Sequence, residues 1–104
     1  MPAVARGAGT DTVDTDHGTG RRCRSATVQT TDACSPDVFV NGIGVVREGD
    51  PIITHPDAGC SDHAPGLGTF SATVKVNGLG LGRLGDEYPG GHIINSGSED
   101  VNAG

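Results

Sequence analysis

The chain has 104 residues, 18 of them glycine, with 34% hydrophobic and 3% aromatic residues and a formal net charge of −6. That length bounds it to one domain, residues 1–104, with a core so thin that a staple is expected: a metal, disulfides or a partner chain. The acidic balance excludes a nucleic-acid partner, whose phosphates require a basic stripe, and the local basic cluster Arg21, Arg22 and Arg24 reads as a solvated loop.

Taken from the N-terminus, Ala3-Val4-Ala5-Arg6-Gly7, with Asp11 shortly after, resembles the closing half of a phrase that recurs later. No window of a dozen residues escapes glycine, proline and β-branched clusters, so no long helix is expected. Val38-Phe39-Val40 and Val74-Lys75-Val76 read as short strands. Asn41-Gly42 and Asn77-Gly78 then predict tight hairpin turns, because a type I′ turn needs positive φ at both central residues. The return strands are expected over Ile43–Arg47 and Leu79–Leu84, each ending at a Gly-Asp turn. Gly80 and Gly82 alternate with leucines in the later one, which marks close backbone approach. The segments Asp11–Thr30, Pro51–Thr69 and Glu87–Ile94 read as loops.

The hairpins are copies of one phrase. SPDVFVNGIGVVREGD, residues 35–50, and SATVKVNGLGLGRLGD, residues 71–86, are identical at nine of sixteen positions: Ser35/Ser71, Val38/Val74, Val40/Val76, Asn41/Asn77, Gly42/Gly78, Gly44/Gly80, Arg47/Arg83, Gly49/Gly85 and Asp50/Asp86. The closing Ser98-Glu-Asp-Val101 restarts the phrase. A half unit at each end and two whole units between imply three quasi-equivalent units and pseudo-threefold symmetry. The expected fold is all-β: hairpins packed around a common axis, with valines and leucines as the core.

A histidine follows each Gly-Asp at nearly constant distance: His17 after Asp11, His55 after Asp50 and His92 after Asp86. One loop histidine alone reads as a solvated residue. Three in corresponding loops of a threefold repeat converge on the axis, and imidazole is a common ligand of tetrahedral Zn²⁺. A fourth ligand from the longest loop would close the set, with His63 and Cys60 both candidates. The donor types favour zinc over magnesium or calcium and leave iron open. No HExxH or HxE…CxxC pattern is present, so a structural ion is expected and an enzyme is not.

The cysteines, Cys23, Cys34 and Cys60, are odd in number and cannot all pair within one chain. Cys23 and Cys34 sit outside the repeat and read as free thiols. No charged stretch leads into an apolar one as a secretory signal would, and the apolar runs are too short to span a bilayer as a helix. Synthesis in a reducing cytosol is expected. The aspartates of Gly49-Asp50 and Gly85-Asp86 read as turn chemistry, not as a carboxylate pair.

These residues resemble PAAR-repeat proteins, the sharpened tips of contractile injection machines in phage tails, type VI secretion systems and related particles. The opening Met1-Pro-Ala-Val-Ala-Arg6, Asp16-His17-Gly18, Ser35–Gly42, Arg47–Pro51, Cys60-Ser-Asp-His63, Ser71–Gly78, Arg83–Asp86, Gly90-Gly91 and Gly97–Val101 carry the resemblance over essentially the whole chain. It implies a small cone with one zinc near the vertex and a broad base seated on a trimeric β-helical spike, one tip per trimer. It also implies transient contact with a target membrane, no small-molecule substrate, and a mature location at the tip of a phage tail or injection-machine spike. The family zinc is typically held by three histidines and one cysteine. Where relatives often carry a cysteine in the last repeat, this chain has Gly85-Asp86-Glu-Tyr-Pro-Gly90-Gly91-His92. The expected ligands are therefore His17, His55, His63 and His92, with His63 chosen because it ends the family's CxxH segment and Cys60 as its replacement. The chain stops after its last half repeat, so no appended effector domain is expected. The alternatives are a small zinc-dependent hydrolase and a soluble zinc-binding adaptor.

Overall fold

Asn41 and Gly42 take φ of 56° and 78°, and Asn77 and Gly78 take 54° and 78°. Positive φ at both positions turns the chain back with the right-handed twist of paired strands, so the two Asn-Gly dipeptides become two hairpin tips. In a computed structural model, which describes residues 1–15, 28–56 and 62–104, these tips join β3 (Phe39–Val40) to β4 (Ile43–Gly44) and β7 (Lys75–Val76) to β8 (Leu79–Gly80). The described residues form an all-β molecule without a helix.

The remaining strands lie in segments that read as loops. They are β1 (Thr12–Asp14), β2 (Val28–Thr30), β5 (His55–Pro56), β6 (Asp62–His63), β9 (Glu87–Tyr88) and β10 (His92–Ile94). Four of them form an antiparallel sheet in the order β2-β1-β10-β9, and β5 pairs with β6. These strands have two or three residues each, too short for alternation to declare itself in sequence. The expected long return strands also differ. β4 and β8 end at Gly44 and Gly80, and the chain beyond crosses to neighbouring units through single bridges: Arg6 to Val45, Arg47 to Leu81 and Val4 to Arg83.

Those bridges close a ring. Ala5 N donates to Gly82 O at 3.1 Å, Gly82 N to Val46 O at 2.8 Å, and Val46 N back to Ala5 O at 3.1 Å. Glycine is needed at position 82: a Cβ there would lie 2.9 Å from Leu67 Cδ2 and 3.1 Å from Val46 O. The third unit is assembled from the two chain ends. Ala103 N donates to Pro2 O at 2.9 Å and Ala3 bridges Asn102, the pairing that Val40–Ile43 and Phe39–Gly44 make within one hairpin.

An Arg–Asp clamp ties off each unit. The main-chain N–H of Arg6, Arg47 and Arg83 donates to Oδ2 of Asp11, Asp50 and Asp86 at 2.6, 2.9 and 2.8 Å. The guanidinium adds Nε to Oδ2 and Nη2 to Oδ1, all between 2.9 and 3.2 Å. The first clamp spans two more residues than the others, and Ala8 and Gly9 absorb them with φ of 54° and 78°.

The core is layered along the pseudo-axis. Val4, Val45 and Leu81 form one cluster with Val76 and Ala103. Beyond the ring, the residue two past each clamp aspartate is buried: Val13, Ile52 and Tyr88, packed with Leu67 and Ile94. Each buried aliphatic contributes about 1.5–3 kcal/mol, so this thin stack needs the clamps and the ring beside it.

Candidate metal centre

Two members of the layer of Val13, Ile52 and Tyr88 lead to histidines, Ile52 along the chain and Tyr88 by strand pairing. From Ile52 the chain runs to His55, and β5 pairs with β6 in a register that sets His55 opposite His63. On the other side Tyr88 pairs with His92, with Gly90 and Gly91 in the turn at φ of 98° and 86°. A Cβ on Gly90 would come within 3.2 Å of the His92 ring, so the small residue serves both the turn and the imidazole. Along β10 the residues alternate, with His92 and Ile94 buried and Ile93 42% exposed.

Three histidines meet there. His55 Nε2 lies 3.0 Å from His92 Nε2 and 2.8 Å from His63 Nε2. One ring nitrogen from each falls within 4.8 Å of the others. His55 and His92 are buried and His63 is half-buried. His55 Nδ1 lies 2.7 Å from the carbonyl oxygen of Ile53, which can only accept, so Nδ1 carries a proton. In neutral His55 this leaves one lone pair on Nε2, directed at two other imidazole nitrogens. One lone pair shared between two donors makes at best two weak, bifurcated hydrogen bonds. A cation shared by three lone pairs resolves the conflict, and carbonyl-fixed imidazole is the usual outer support of a metal ligand. Tetrahedral zinc with Zn–N of about 2.0–2.1 Å needs nitrogens roughly 3.3 Å apart; His55 Nε2 stands near that distance from each of the other two.

Of the sequence candidates, the structure brings together His55, His63 and His92, a set that could hold a metal ion. His17, Cys60 and Cys23 lie outside the described residues, as do Asp16 and Arg21–Arg24. Cys34 is a free thiol packed against Gly7 and Gly44 and is not part of the histidine set. The three histidines are not equivalent by position. His55 stands on the strand leaving its clamp, whereas His63 and His92 stand on strands returning from the loops. Counting back from the next serine aligns Leu67 with Ile94, each four residues before Ser71 or Ser98, but leaves His63 four before Leu67 and His92 two before Ile94, so the count does not make the histidines equivalent. The Ile53 carbonyl carries no sequence signal at all.

The clamp carboxylates are committed elsewhere. Burial pushes the Asp11 carboxyl up, but its bonds from Arg6 and Ser96 outweigh this and hold it below the usual carboxylate value. Tyr88 lies under the site with its hydroxyl buried and without a hydrogen-bond partner among the described residues. Burial, followed by the charges of Asp50, Asp11 and Asp32, pushes that phenol well up. Fold and site together define a small pseudo-threefold β protein with a histidine centre able to hold a metal ion. Comparison with protein-family models and with characterised proteins finds no match to this chain.

Proposed function

We propose that this protein is a spike tip of the PAAR-repeat kind, a metal-stiffened cap for a trimeric β-helical spike in a contractile injection machine. The observation that carries the reading is the closed ring of backbone bonds through Ala5, Val46 and Gly82, by which one chain offers three quasi-equivalent faces. A homotrimer needs such a cap: its terminal strand edges are unpaired, and a pseudo-threefold monomer meets all three.

The face for the spike is the apolar end. Val4, Val45 and Leu81 floor a groove of about 330 Å³ rimmed by Val38, Val74 and Val101. Val38 and Val101 are 38% and 37% exposed, and Phe39 nearby is 58% exposed. An apolar patch of this kind marks an interaction surface. At the other end His55, His63 and His92 would hold one zinc ion, with His17 or Cys60 as fourth ligand. The ion supplies tetrahedral cross-links where a chain this small has little other material for rigidity. The clamp aspartates are held by arginines, which favours a structural ion over a hydrolytic one.

Co-expression with a spike trimer followed by native mass measurement tests the reading. One tip per three spike chains and one zinc per tip are expected. Three tips per trimer, or a soluble tip indifferent to the spike, would refute it.

A further inference from the structure

The apolar groove is lined by whole sets of three. Val4, Val45 and Leu81, at corresponding positions of the three units, form its floor. Val38, Val74 and Val101 form its rim, and their carbonyl oxygens accept from the Val45, Leu81 and Val4 amides at 3.1, 3.1 and 3.0 Å. Between floor and rim lie Val40, Val76 and Ala103, the hairpin residues paired with Ile43, Leu79 and Pro2. Each set has one member per unit, so the groove lies on the pseudo-threefold axis and shows three like walls to whatever enters.

These walls restrict the occupant. The groove holds about 330 Å³. A dry apolar cavity of about 150 Å³ takes one benzene, so there is room here for more than one side chain. The polar side chains that reach the groove, Lys75 and Asn102, are exposed and stand at corresponding positions of two hairpins, opposite Gly80 and Ala3. Both bring N–H donors to the edge and leave the interior aliphatic. A single peptide or a lipid tail would present unlike groups to three like walls. A second copy of this chain facing the first would set groove against groove and fill neither. A trimer that ends on its own axis presents one identical group to each wall.

We propose that the groove takes three copies of one aliphatic side chain, Val, Ile or Leu, supplied by the three chains of a symmetric trimer where they meet on its axis. Each side chain packs against one wall, between a floor residue and a rim valine, and all three leave water together. The Lys75 and Asn102 donors then face carbonyl oxygens that strands leave unpaired at the end of such a trimer. That the trimer is a spike rests on the reading above; the threefold aliphatic occupant rests on the lining of the groove.

Methyl ¹³C spectra of the full metal-loaded chain test the groove, with a parallel three-stranded coiled-coil peptide as probe, its amidated chains each ending in isoleucine at a core position. The methyls of Val38, Val74 and Val101 should shift together and saturate at one trimer per tip. The same trimer ending in serine should bind at least about tenfold more weakly, since three buried aliphatic side chains are lost. Val38→Asp and Val101→Asp, on the exposed rim, should each abolish the response while the metal-loaded chain melts close to wild type. No response, a shift at one rim valine alone, or an equal response to the serine-ended trimer would overturn the proposal. So would the same shifts on raising the protein concentration or on adding phosphatidylcholine vesicles, which would make a second copy or a lipid surface the occupant. Saturation by the isoleucine trimer in a chain that ignores spike trimers would uphold the groove and remove the spike as its partner. Capture by a spike trimer that leaves the three valines unshifted would uphold the spike and overturn the groove.

Discussion

The main-chain amide of Val4 donates to the carbonyl oxygen of Val101 at 3.0 Å, the bond that Val45 makes to Val38 and Leu81 to Val74 within continuous units. The two ends of the chain are thereby one hairpin, with Gly104 and Met1 at its tip.

Deleting residues 101–104 should therefore act as a core lesion, not as trimming of a tail. It removes Ala103 from the Val4, Val45 and Leu81 cluster and strips Val4 of its partner. Loss of cooperative thermal unfolding is expected by circular dichroism. A permutant that joins Gly104 to Met1 and opens the chain between Asn77 and Gly78 should keep the fold, since it moves the gap from one hairpin tip to another. Wild-type melting in the deletion, or an unfolded permutant, would contradict this.

Metal removal should cost much of the stability. Structural zinc binding is folding free energy, so chelation should remove at least about 3 kcal/mol, a fall of more than about 10 °C in Tm for a domain of this size. Replacing His55, His63 or His92 singly by alanine should lower zinc content, read by elemental analysis, while Cys34→Ala should not. An unchanged melting curve after verified zinc removal would refute the structural role.

The Arg6–Asp11 clamp predicts a second acid step below the one caused by loss of metal. Asp11 titrates lower in the folded chain than its ordinary 3.8, so its stabilisation is complete above that value and is lost as pH falls through the folded one. Metal release should come first, on mild acidification, and failure of the Arg6–Asp11 clamp later, below the ordinary 3.8. Asp86→Ala should cost about 2–3 kcal/mol at neutral pH, because the Arg83 amide and guanidinium lose their acceptor together. Denaturant titrations at several pH values would show both steps; one transition in the metal-loaded protein would argue against separate causes.

Tyr88→Phe should stabilise the protein by about 1 kcal/mol, since it removes a buried hydroxyl without a partner and keeps the ring in the core. The phenol pKa is raised in the folded chain, so wild-type stability is complete below the ordinary value of 10.0 and declines as pH rises beyond it. Melting at rising pH should show that decline in the wild type and a weaker one in Tyr88→Phe. A destabilised Tyr88→Phe would mean that the hydroxyl has a partner after all.

Much of this architecture was readable before any coordinate. The repeat, the Asn-Gly turns, the split unit and the Gly-Asp turns are local or periodic features, and their backbone demands, positive φ above all, are met by few residue types. The histidines were legible as a set of candidates, but their arrangement was not. His55 and His92 stand in contact across 37 positions, and His92 arrives on a returning strand, not at the end of an outgoing one. Loops of unequal length hide that difference from any count made forward from Gly-Asp. The two- and three-residue strands that set it, including the β2-β1-β10-β9 sheet, have too little pattern to declare themselves. They form because ring closure brings their backbones within hydrogen-bonding distance, a consequence of pairing between distant segments that only the folded chain contains.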